Sequence, residues 1–151
     1  MNSSTVAAVK TAIITALAAR AGLAGVQVEY ADPAKHRQDE LIYFGNTRGR
    51  HEIAAIRAGR KPRNETYTLD LYIGAVKRGE TVSAAEDRVA ALLAEVEGLV
   101  ADDPQLTAAG LAAGTIDSIT AGDWEIDPGE IEPGRPAAAM VFGLEVRARL
   151  S

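Results

Sequence analysis

The chain has 151 residues, 47% of them hydrophobic, no cysteine and a formal net charge of −5 at neutral pH. That length fits a single domain, residues 1–151, large enough to bury a core without staples, and the lack of cysteine removes disulfides, thiolate metal sites and thiol catalysis. The acidic balance speaks against a protein devoted to gripping nucleic acid, where affinity comes from many cations meeting phosphates. No run reaches the roughly 18 to 20 apolar residues of a membrane-spanning helix, so no membrane partner is expected.

In chain order, Ser3, Ser4 or Thr5 offers a cap for a first helix reaching about Ala21, with Val6, Val9, Ile13 and Leu17 at helical spacing and Gly22 placed to end it. Thr11 to Ala19 imitates the apolar stretch of a secretion signal behind Lys10, yet its regular stripe reads as a native amphipathic helix. Val26 to Tyr30 predicts a short strand closed by Asp32-Pro33, and Lys35 to Asp39 a basic loop. Leu41-Ile42-Tyr43-Phe44 then predicts a strand, with Gly45-Asn46-Thr47-Arg48-Gly49 as the turn of a basic hairpin whose second arm lies around His51 to Arg57. Gly59 to Asn64 reads as a further basic turn.

Glu65 to Val76 shows the clearest period of two: Tyr67, Leu69, Leu71 and Ile73 on one face, Thr66, Thr68 and Asp70 on the other. After Lys77-Arg78-Gly79 the period becomes 3.6, with Val89, Leu92, Leu93, Val96, Leu99 and Val100 in one stripe. Ser83 with Glu86 predicts a capping box at its start, and Asp102-Asp103-Pro104 its end. Gln105 to Gly114 has no period, Thr115 to Ile126 predicts a strand bent near Ala121-Gly122, and residues 127–136, with three prolines, predict a loop. Phe142, Leu144, Val146, Ala148 and Leu150 alternate with Gly143, Glu145, Arg147 and Arg149 as a closing half-buried strand. The expected fold is α+β, a mostly antiparallel mixed sheet with two amphipathic helices packed on one face, the other left for partners.

Charge is segregated along the chain. Residues 35–63 hold eight cations against three anions, a net +5, whereas residues 80–132 hold thirteen anions against Arg88 alone, a net −12. Opposed potentials suit docking between copies or onto two different partners. The candidate interface residues are therefore Arg48, Arg50, Arg57, Arg60, Lys61 and Arg63 on the basic side, and Asp123, Trp124, Glu125, Asp127, Glu130 and Glu132 on the acidic side. For the basic stretch, solvated loop charge, a protein contact and a nucleic-acid contact are the three readings. Trp124, the only tryptophan, is either a core anchor or an interface hot spot.

No catalytic or ligand signature stands out. His36 and His51 lack a histidine or carboxylate four residues on, the serines lack a nucleophile-elbow context, and Gly45 to Gly49 is not followed by a Lys-Ser/Thr pair or a helix. Asp102-Asp103 reads as a solvated helix exit, and Asp117, Asp123 and Asp127 would hold a calcium ion only if their loops converged. The expectation is no cofactor, no metal site and no enzyme.

The order of these segments resembles the tail-terminator and minor tail proteins of long-tailed bacteriophages, especially those of actinobacteria. The segments that carry the resemblance are the first helix, Leu41-Ile42-Tyr43-Phe44-Gly45, Arg63-Asn64-Glu65-Thr66-Tyr67-Thr68-Leu69-Asp70-Leu71, the helix from Thr81 to Ala101 with Asp102-Asp103-Pro104-Gln105-Leu106, and the closing strand. None is a catalytic motif; residues 127–136 fit the pattern least. The resemblance implies a virion protein assembled in the host cytoplasm, a homo-oligomeric ring, typically a hexamer. It would cap the tail tube, stop its polymerisation and meet a head–tail connector, with DNA only passing through the lumen. A head-completion or neck adaptor and a small-molecule-binding α+β domain are the alternatives.

Overall fold

The computed structural model describes residues 4–53, 63–130 and 135–150. The elements run α1 (Val6–Ala19), β1 (Gln27–Glu29), β2 (Glu40–Ile53), β3 (Arg63–Val76), α2 (Val82–Asp102), β4 (Ser118–Glu130) and β5 (Pro136–Leu150), with short 3-10 turns at Ala21–Leu23 and Ala34–His36. The five strands form one open sheet in the order β1-β2-β3-β5-β4, in which only β1 and β2 are parallel. The fold is α+β, as the two periods in the sequence predict.

Burial alternates along β3 and β5 as the pattern requires. Tyr67, Leu69, Leu71 and Ile73 of β3 and Met140, Phe142, Leu144 and Val146 of β5 are buried, and they share a core with Val89, Leu92, Val96 and Leu99 of α2. Helix α2 contacts β3, β5 and β4, while α1 contacts β1 and α2 and adds Val9, Ile13 and Leu17. Strand side chains of the opposite parity, including Arg48, Thr68, Glu145 and Arg147, occupy the open face.

Several boundaries differ from the sequence reading. Gly45 to Gly49 is not a turn: β2 is one strand of 14 residues, with a register shift between Phe44 and Thr47 that takes up Gly45 and Asn46. Gly49 lies opposite Tyr67, and a Cβ there would sit 2.6 Å from the Tyr67 Cβ. Glycine thus serves close strand approach instead of chain reversal. The basic hairpin is formed by β2 and β3, and its connection, which holds most of the residues read as a second turn, lies outside the described residues; Arg63 and Asn64 already belong to β3.

Strand β4 likewise continues through Asp127, Pro128 and Gly129 to Glu130, paired with β5 as far as Pro136. Of the predicted loop at 127–136, residues 127–130 belong to β4 and Pro136 to β5, and residues 131–134 lie outside the described residues. Proline is compatible with this because β4 is an edge strand and Pro136 opens β5, positions where a missing N–H breaks few ladder bonds. The bend expected near Ala121-Gly122 appears as a register shift between Ala121 and Trp124.

Helix α2 is capped two residues earlier than the capping box predicts. Thr81 is the N-cap, and its hydroxyl accepts a hydrogen bond from the Ala84 amide at 3.1 Å, so Ser83 sits inside the first turn. Thr81→Ala is expected to cost about 1 kcal/mol, lowering the melting temperature by about 2–4 °C, with Ser83→Ala nearly silent. Thermal denaturation followed by circular dichroism checks this; equal losses from both variants would restore the capping-box assignment.

Candidate assembly interface

Three strands build the basic part of the open face. Arg48 lies opposite Thr68, which lies opposite Glu145; Arg50 lies opposite Thr66 and then Arg147; Glu52 lies opposite Asn64 and then Arg149. The side chains of Arg48, Arg50, Arg147 and Arg149 are all exposed. Arg50 pairs with Glu52 at 3.2 Å, whereas Arg48, Arg147 and Arg149 make no ion pair among the described residues. Arg63, exposed, begins β3 at the same end of the sheet. Arg57, Arg60 and Lys61 lie outside the described residues.

The acidic group falls on β4, the long edge strand. Asp123, Glu125 and Asp127 are exposed, Glu125 lying opposite Val141 and Asp127 opposite Ala139, and none of the three makes an ion pair among the described residues. Trp124 is 59% exposed, which removes the core-anchor reading. Glu130 is the last residue of β4, and Glu132 lies outside the described residues. Asp117, Asp123 and Asp127 do not converge: among the described residues no group of three or more His, Cys, Asp or Glu is placed to hold a metal ion.

Internal ion pairs leave the segregation of charge in place. Arg88, the only cation of the acidic stretch, bonds Glu40 of the basic stretch at 2.7 Å, and Arg78 bonds Asp39 at 2.9 Å. The Arg88 hydrogen bond holds the Glu40 carboxyl below its ordinary range against the opposing effect of burial. Arg20 holds Glu95 at 3.0 Å and Asp102 at 3.7 Å. Among the described residues no ion pair joins a cation of residues 35–63 to an anion of residues 80–132.

Below the basic corner the open face becomes aromatic and then small. Tyr43 and Tyr72 stack with ring centroids 4.6 Å apart, and the Arg37 guanidinium lies 5.4 and 5.5 Å from them. Arg37 is gripped by both carboxylate oxygens of Asp32, at 3.1 and 2.7 Å, and donates to the Tyr43 hydroxyl at 3.0 Å. That grip holds Asp32 below the usual carboxylate range. Leu41, Gly74, Ala137 and Ala139 line an adjoining depression of about 470 Å³, of which Trp124 is not a lining residue. Of the aromatic residues near the basic stretch, Phe44 and Tyr67 belong to the core, while Tyr43 lies across from Tyr72 on the open face.

On the helix side, a polar cluster that the sequence reading missed joins three elements. Glu65 of β3 is 3% exposed; it accepts hydrogen bonds from the Thr5 amide and the Thr5 hydroxyl, both at 2.9 Å, and lies 2.9 Å from His51 Nε2. The Tyr67 hydroxyl is 2.8 Å from that of Thr5. Burial alone would raise the Glu65 carboxyl, but hydrogen bonds from His51, Thr5 and Ser4 outweigh it and hold the group below its ordinary value. Burial pushes Tyr67 up to about 12. His51 and Glu65 are direct cross-strand partners, so the only signal in the sequence is visible once the β2–β3 register is known. Thr5 is the N-cap of α1 but its hydroxyl makes no capping bond; the Glu65 carboxylate stands at that helix end instead, where negative charge is favoured.

The arrangement defines a class: an α+β fold with one helix-covered sheet face and one open face on which, among the described residues, no ion pair joins the basic stretch to the acidic one. No protein-family model matches the chain, and no curated protein matches it. Among the described residues no helix is long and apolar enough to cross a membrane.

Proposed function

We propose that this chain is a structural virion subunit that assembles with copies of itself into a ring at the end of a phage tail tube, stopping tube polymerisation and meeting the head–tail connector. The observation that supports it most is the charge arrangement: the exposed cations on β2 and β5 and the exposed anions on β4 have no ion-pair partners across the two stretches among the described residues, so counter-charges must come from solvent or another subunit. Unlike charged surfaces fix register and orientation between subunits without any catalyst. The order of segments that resembles tail-terminator proteins adds the particular role, and DNA passing through the lumen needs no grip.

Deleting the coding sequence from the genome that holds it tests the role directly. Electron microscopy of the lysate is expected to show heads without tails beside tails of uncontrolled length. Normal virions would overturn the proposal, and tails of normal length accumulating beside tailless heads would assign the chain to the neck instead.

A further inference from the structure

The open face separates its two unpaired charge groups by more than they can bridge. Glu125 on β4 lies four residues of strand and three strand spacings from Arg48 on β2, and six residues and one spacing from Arg147 on β5, which at about 3.4 and 4.8 Å each puts it roughly 20 Å from either. At physiological salt the screening length is about 8 Å. Within one subunit these groups do not feel each other, and rigid β3 and β5 hold them apart.

We infer that the acidic edge strand of one copy, Asp123-Trp124-Glu125, docks on the basic corner formed by Arg48, Arg147 and Arg149 of a second copy. The inference rests on the reading of the chain as a self-assembling subunit and names the contact that joins the copies. Three observations converge on it. Both surfaces are exposed, and their charges are complementary because the arginines of the corner outnumber its carboxylates, Glu52 and Glu145; none of the five charged residues named in the contact makes an ion pair among the described residues. Trp124, the most exposed large apolar side chain among the described residues, lies between Asp123 and Glu125 in sequence and opposite Phe142, so it stands at the helix-side rim of the edge strand while Glu125 stands on the open-face side. A tryptophan so placed supplies the area that charge pairs lack, and its ring face is a favoured seat for a guanidinium. The receiving corner offers arginines rather than lysines; on β3, Thr66 lies between Arg50 and Arg147 and Thr68 between Arg48 and Glu145, with no bulky apolar group there to obstruct an indole. A protein of other sequence with the same charges is a different occupant, and the test separates it from a second copy.

Arg147 and Arg149 are the new members of this surface. They are about 80 residues or more from the basic stretch in sequence, and β3 alone brings them beside Arg48 and Arg50.

Sedimentation equilibrium of the purified full chain, in low and high salt and up to millimolar concentration, tests the contact without any tail component. The wild-type chain is expected to associate reversibly and to weaken with salt. Arg48→Glu/Arg147→Glu and Asp123→Lys/Glu125→Lys should each weaken association roughly a hundredfold, within the range that close interfacial charge pairs give. An equimolar mixture of the two reversed variants should recover it, because each reversed surface then meets its complement. Trp124→Ala should weaken association by about thirtyfold, as an interface anchor does. Unchanged melting temperatures establish that the variants are folded. A wild-type chain that stays monomeric throughout, reversals without effect, or a mixture that fails to recover would each overturn the contact and show that these surfaces await another protein or none. Association that survives scrutiny while the deletion leaves tails normal would instead remove the tail-capping role and keep the contact.

Discussion

Leu71→Asp is expected to abolish the cooperative thermal transition. Leu71 is fully buried in the middle of β3, between Phe44 on β2 and Phe142 on β5, in the core that also holds the α2 stripe. Replacing it removes about 2–3 kcal/mol of apolar burial and places a carboxylate where no cation or donor faces it. The combined cost of several kcal/mol matches the whole stability of many domains, about 5–15 kcal/mol. The control is Thr68→Asp, on the open face between Arg48 and Glu145, which should change the stability of the monomer by no more than about 0.5 kcal/mol. Circular dichroism melts at monomeric concentration check the pair; if both variants melted alike, the buried face of β3 would be misassigned.

Glu65→Ala is expected to lower stability by about 3 kcal/mol, or roughly 6–12 °C in melting temperature. The loss has two parts: the buried Thr5 amide is left without its acceptor at the start of α1, and His51 loses its cross-strand partner. Glu65→Gln should lose about half as much, since an amide oxygen still accepts from Thr5 but carries no charge for the helix end. The carboxyl is held below its ordinary value in the folded chain, so its stabilisation is complete above the unfolded value near pH 4.3 and fades as pH falls through the lowered one. The gap between wild type and Glu65→Gln should therefore be constant near neutrality and narrow below about pH 4. Tyr67 acts at the other extreme: with its folded value raised to about 12, the unfolded chain ionises first, and stability falls as pH rises beyond about 10. Urea midpoints measured at pH 7 and pH 3 decide the carboxylate's part. A gap that stayed constant at low pH would mean that Glu65 stabilises only by shape.

What the sequence by itself determined was local. A stripe at 3.6 residues and alternations at two residues are properties of consecutive side chains, and helices α1 and α2 and the buried parity of β3 and β5 follow from them. The separation of positive and negative stretches was equally legible, being a matter of counting. Chain reversals were less so, because glycine and proline are compatible with more than one backbone: Gly49 serves a close strand approach, and Pro128 stands on an edge strand where its missing N–H is tolerated. Capping shifted for a related reason, since Thr81 and Ser83 are both good caps and packing of the Ala85-to-Val100 face selects the register. Only the tertiary structure decided which distant residues meet. Sheet order placed β3 between β2 and β5, which set Arg147 and Arg149 beside Arg48 and Arg50, gave His51 a buried carboxylate, put Trp124 on an exposed edge and stretched the opposing charges along one face. Those pairings depend on strand register, in which a shift of one residue exchanges the two faces, and register is set by the sum of core contacts rather than by any segment's own composition.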